Sequence, residues 1–103
     1  MSELIPIVCE WHRAYMTDAE TTFEFQPEPV AEKFVGGGTH RKYLYLVRPG
    51  TVVRGRRVSN RGNVRYFTVK VTRPVFIDFV GGVVDLPEKY LREAERLKRE
   101  VMG

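Results

Sequence analysis

The 103-residue chain has a single cysteine, Cys9, so no disulfide can form within it and nothing points to an oxidising compartment. The cytoplasm is the expected setting. Long apolar runs are missing too. MSELIPIVCEW reaches Glu10 after a six-residue apolar stretch, too short for a signal peptide or a membrane span, and no glycosylation or lipidation motif occurs. Asparagine (Asn60, Asn63) and glutamine (Gln26) are scarce while twelve arginines outnumber five lysines, a composition that leans thermophilic. No repeat or low-complexity tract is visible. A chain of this length supports one modest core and hides roughly 60 to 70% of its unfolded surface, so residues 1–103 read as a single domain.

The most informative absence is of acid in the middle of the chain. Residues 39–77 carry ten bases and no acid, whereas residues 1–38 carry seven acids and two bases, and residues 78–103 six acids and five bases. The net charge of +4 conceals this division. Such asymmetry is an argument about partners rather than about fold.

What is present reads mainly as strand. Ile5, Ile7, Cys9 and Trp11 alternate with Pro6, Val8, Glu10 and His12, the period of a half-buried strand that Pro6 restricts to an edge or a strand start. A turn at Thr17-Asp18-Ala19-Glu20 leads to a second strand, Thr21 to Gln26, able to pair with the first as a hairpin. Val30 to Val35 reads as one helical turn before Gly36-Gly37-Gly38. Arg41 to Val47 is rich in β-formers and ends in Arg48-Pro49-Gly50, with Pro-Gly at the centre of a type II turn.

The stretch VVRGRRVSNRGNVRYFTVKV, Val52 to Val71, then holds six bases and no acid. With Asn60-Arg61-Gly62 as a three-residue loop and Gly62 at the left-handed position of a bulge, Val58 faces Val64, Arg56 faces Tyr66, Gly55 faces Phe67 and Val52 faces Lys70. Val53, Gly55, Phe67, Val69 and Val71 then share one face; Arg54, Arg56, Tyr66, Thr68 and Lys70 share the other. A slip of one residue would mix them. Val75 to Val80 and Val83 to Asp85 are further strands. From Pro87, at the first helical position, a helix runs to about residue 102, with Tyr90, Leu91, Ala94, Leu97 and Val101 as its apolar stripe. Glu88–Arg92, Glu95–Arg99 and Arg96–Glu100 are its i,i+4 pairs. The expected fold is mainly β (α+β): a small curved antiparallel sheet or an open SH3-like or OB-like barrel with one C-terminal helix over 87–102.

The basic hairpin carries the functional reading. Guanidinium groups contact phosphate and a flat ring among them stacks on a base, so Arg54, Arg56, Arg57, Arg61, Arg65, Tyr66 and Lys70 form a candidate nucleic-acid interface. Arg41 and Lys42, with Tyr43 and Tyr45, are read as extending it from a neighbouring strand. A sheet built only for solubility would mix signs, because like charges across strands repel; an external polyanion supplies the missing countercharge. The competing account is neutralisation by the acidic N-terminal third.

Other constellations are weaker. His12 and His40 are the minimum for metal-free acid–base cleavage of RNA but lie in no motif. Cys9-Glu10-Trp11-His12 would be half a zinc site, yet on a strand positions 9 and 12 point to opposite faces. The Gly36–Gly38 run leads into a strand and lacks the Gly-Lys of a phosphate loop. The expectation is a non-enzymatic nucleic-acid-binding protein without cofactor or metal, RNA (in a ribonucleoprotein or on the ribosome) ahead of DNA, and able to form homo-oligomers. The alternatives are a protein-interaction module, a viral or host factor docking an acidic partner, and a small metal-independent nuclease using His12 and His40.

Overall fold

The computed structural model describes residues 3–13, 19–38 and 40–103. Over these the chain forms β1 (Ile5–Arg13), β2 (Glu20–Gln26), β3 (Ala31–Gly36), β4 (His40–Val47), β5 (Val52–Val58), β6 (Val64–Lys70), β7 (Val75–Ile77), β8 (Val83–Asp85) and α1 (Glu88–Met102). All eight strands belong to one sheet that is not closed, ordered β3-β4-β1-β2-β5-β6, with β7 beside β1 and β8 beside β7. The fold is thus mainly β with a single C-terminal helix, as the alternation of the sequence implies.

β1 organises the rest. Along one edge it pairs antiparallel with β4 from Ile5 to His12. Its other edge is shared: β7 runs parallel to it at Ile7–Cys9, and β2 pairs with it only at His12 and Arg13. The expected β1–β2 hairpin therefore exists only at its closing end; residues 17 and 18 of the expected turn lie outside the described residues. Pro6 sits in a central strand rather than at an edge, and the β7 pairing begins one residue after it, so with respect to β7 it is a strand start.

After two pairs β2 departs from β1 and carries β5 and β6 with it. The first core lies between the two halves, built from Ile7, Cys9, Phe23, Phe25, Tyr45, Val47, Val53, Val71, Val75 and Ile77. A second forms on the opposite side of β1 and β4, where Val8, Leu44 and Leu46 meet Leu86, Tyr90, Ala94 and Leu97. Both faces of β1 are consequently buried, which exceeds the half-buried strand that its alternation suggests. Burying a side chain the size of Leu97 or Tyr90 contributes about 1.5 to 3 kcal/mol, and this docks α1. The Lys33–Glu93 ion pair, 2.9 Å, adds a tie from β3 to the helix.

Five expectations need correction. Ala31–Gly36 is a strand, not a helical turn: the Ala-Glu-Lys propensity yields to pairing with β4 along the sheet edge, and burial alternates with period two. β7 ends at Ile77 instead of Val80, because the Asp78 carboxylate accepts the N–H groups of Val80 and Gly82 and turns the chain. Pro87 occupies the N-cap, one residue before the first helical position, with its carbonyl accepting from Tyr90. Val101 is exposed, and the helix surface pairs among the described residues are Glu93–Arg96 and Glu95–Lys98 at i,i+3 in place of the expected i,i+4 set, a spacing that also makes side chains neighbours on the helix surface.

Candidate nucleic-acid interface

The β5–β6 hairpin has the register its loop implies. Val52 pairs with Lys70, Arg54 with Thr68, Gly55 with Phe67, Arg56 with Tyr66 and Val58 with Val64. Ser59 and Asn63 close the loop (N···O 2.9 Å), Gly62 adopts φ +82°, and the Ser59 hydroxyl accepts from Arg61 and Asn63. Inside the fold Phe67 covers Gly55 so closely that any Cβ there would overlap the ring, and it stacks edge-on against Phe23 at 5.9 Å. That contact fixes which face looks outward.

Arg54, Arg56, Tyr66, Thr68 and Lys70 share the outward face, and Tyr66 is 74% exposed. No ion pair engages Arg54, Arg61, Arg65 or Lys70 among the described residues. The neighbouring strand modifies the charge. β2 sets Glu24 directly opposite Arg54 and Thr22 opposite Arg56, and Glu20 pairs with Arg56 at 3.7 Å. Two acids of the N-terminal third, Glu20 and Glu24, are therefore laid along one flank of the basic hairpin, and Lys70 and Tyr66 on the outer strand β6 are the groups farthest from them in strand order.

The remaining candidates scatter. Arg57 and Arg65 are register partners on the other face of the hairpin, with the Arg57 guanidinium 5.9 Å from the centre of the Phe79 ring. Arg61 is exposed at the loop tip. Arg41 and Lys42 do not extend the surface: β1 and β2 separate β4 from β5, and Lys42 faces Glu10 at 3.5 Å. The expectation fails because the Arg48–Thr51 turn joins two unpaired strands; its Gly50 N–H and Thr51 carbonyl bond Val71 instead. Tyr45 is 3% exposed and accepts a hydrogen bond from Trp11 Nε1 at 2.9 Å. Burial, above all, pushes its phenol and the Cys9 thiol far above their ordinary values, so neither ionises near neutrality.

His12 and His40, far apart in sequence, meet as cross-strand partners with ring centres 4.7 Å apart. Phe79 packs against both, at 4.9 and 4.6 Å, and its carbonyl accepts from the Thr21 hydroxyl. Burial first, then the positive potential of His40 and Arg57, lowers the pKa of His12 against the opposing pull of Glu10. Two features escape the sequence reading: which acids of the N-terminal third flank the hairpin, namely Glu20 and Glu24, and Phe79 as the hub of the histidine pair. Neither has a local signal, since each depends on strand order. No group of three or more His, Cys, Asp or Glu side chains able to hold a metal occurs among the described residues, and no helix among them is long and apolar enough to cross a membrane.

Compared with protein-family models, curated proteins and solved structures, the chain matches none.

Proposed function

We propose that this chain is a non-enzymatic nucleic-acid-binding β-domain that holds single-stranded RNA, and DNA less well, on the outer face of β5 and β6. The observation that carries the reading is Tyr66: a ring 74% exposed on a strand, flanked on its own face by Arg54, Arg56 and Lys70. A large aromatic left in water gains nothing for the fold, whereas a base stacked on it excludes water from both rings while the bases on either side neutralise phosphate. A cytoplasmic setting agrees with the lone, fully buried Cys9. The test is the salt dependence of binding to mixed oligonucleotides. Log K should fall against log salt with a slope of roughly 0.7 per contacted phosphate, for about three contacts. A flat response removes the proposal, and selective capture of an acidic protein in its place would assign the face to protein docking.

The His12–His40 contact favours one second reading, metal-independent cleavage of RNA. One imidazole takes the proton of the 2′-hydroxyl as its oxygen attacks phosphorus, the other gives a proton to the departing 5′-oxygen, and Arg57 offsets charge on the phosphoryl oxygens. Turnover in chelator, abolished by His12→Ala or His40→Ala with binding retained, would establish it; absence of turnover would dismiss it.

A further inference from the structure

A cleft of about 400 Å³ opens where β2 parts from β1, on the inward face of β2 and so opposite the outward basic face of the hairpin. Half-buried Trp11 lines it together with Phe23, Phe25 and Tyr45, core residues each less than a tenth exposed, and Glu28 and Glu32 stand at its exposed rim. The rings are held by one another: Trp11 meets Phe23 edge-on at 5.3 Å, Phe25 lies 4.5 Å from Tyr45, and the Trp11 N–H is spent on the Tyr45 hydroxyl. Neither glutamate has an ion-pair partner among the described residues, and no basic side chain lines the cleft.

We infer that this cleft binds an organic cation of the trimethylammonium class, with the aromatic rings as walls and Glu28 and Glu32 as countercharge. Rings present negative potential on their faces, and the two carboxylates give the mouth the same sign, so a cation is favoured over a neutral or anionic group. The wall chemistry then selects the kind of cation. A primary ammonium is strongly hydrated and needs acceptors for its three N–H groups. Among the lining side chains the Tyr45 oxygen is already engaged by Trp11, so the acceptors left are the Glu28 and Glu32 carboxylates at the exposed rim, and N–H groups seated among the rings would go unmet. A trimethylammonium group has no N–H to satisfy and sheds its water cheaply, so it is the cation this lining accommodates. The site is independent of the proposed nucleic-acid interface.

Trp11 is the only tryptophan, so its fluorescence reports the cleft directly. Titration of the full chain with choline should give a saturable change in emission. The neutral isostere 3,3-dimethylbutan-1-ol, matched in shape, should bind about tenfold more weakly. Glu28→Gln combined with Glu32→Gln should weaken choline binding severalfold in a protein with unchanged melting, since both carboxylates are exposed. A short peptide bearing trimethyllysine distinguishes the source: binding tighter than choline assigns the cation to a modified protein side chain, equal binding to a free small molecule. Failure of choline to produce a saturable change, or equal binding of the neutral isostere, overturns the inference.

Discussion

Behind β1 and β4 the sheet carries Val8, Leu44 and Leu46, and α1 covers them; behind β5 and β6 it carries Arg54, Arg56, Tyr66, Thr68 and Lys70, and no helix among the described residues covers them. Both halves turn their other face to the same core. The difference lies in the second parity of each strand. Where both parities are apolar, a strand must be buried twice, and α1 supplies the second layer. Where one parity is charged, a covering layer would have to desolvate several cations, each at a cost of kcal/mol unless paired, so that face stays open to water or to a polyanion. One half thus has both sheet faces buried, and the other leaves a charged face in water.

The comparison breaks most visibly at the helix. Leu97→Ala should destabilise the fold by about 2 to 5 kcal/mol, because Leu97 is 7% exposed in the second core. Chemical denaturation measures this. A loss below about 1 kcal/mol would mean that α1 is not what holds the covered half together.

Tyr66→Ala is the matching change on the open half. It should leave melting nearly untouched while costing roughly 1 to 3 kcal/mol of affinity for single strands, with the salt slope unchanged because a ring carries no counterion-releasing charge. Loss of stability instead of affinity would show that Tyr66 serves the fold. Affinity equal to that of the parent chain would remove the stacking platform from the proposed function.

Much of this division is legible in the sequence, and what is hidden follows one rule. The β5–β6 register can be read because a three-residue loop with Gly62 and a strict alternation both bear on adjacent segments. The order of the sheet cannot be read in this way. β1 pairs with β4 and β7, at separations no local pattern encodes, so Lys42 reads as part of the basic surface when it faces Glu10. β3 is hidden for a different reason: Ala31-Glu32-Lys33 has helical propensity, and only the free edge of β4 overrides it. Of the candidate site, Arg54, Arg56, Tyr66 and Lys70 stay together because one hairpin holds them, while Arg41, Lys42 and the Arg57–Arg65 pair separate.

The flanking acids sharpen the comparison by a smaller amount. Glu20 and Glu24 lie beside Arg56 and Arg54, so they lower the positive potential of the open face proposed to bind phosphate. Replacing both with glutamine should strengthen RNA binding at low salt, by about 0.2 to 1 kcal/mol for the exposed Glu20–Arg56 pair relieved, and the gain should fade as salt screens it. Binding that weakens would show that the carboxylates position the arginines rather than compete for them.

The smallest expected effect concerns the seam where the two halves meet. His12 pairs with both β4 and β2 there, against His40 and Phe79. Its pKa is lowered from 6.5 by burial and by the neighbouring positive groups, so the folded protein holds that proton less well than the unfolded chain does. Below the unfolded value the unfolded state binds more protons, and stability therefore falls as pH drops below about 6.5 and is fully restored above it. Melting followed from pH 7.5 to pH 5 should show this decline, with a shallower one in His12→Gln. A His12→Gln protein that loses stability as steeply would place the acid sensitivity elsewhere, and the seam would then tolerate a second positive charge beside Arg57.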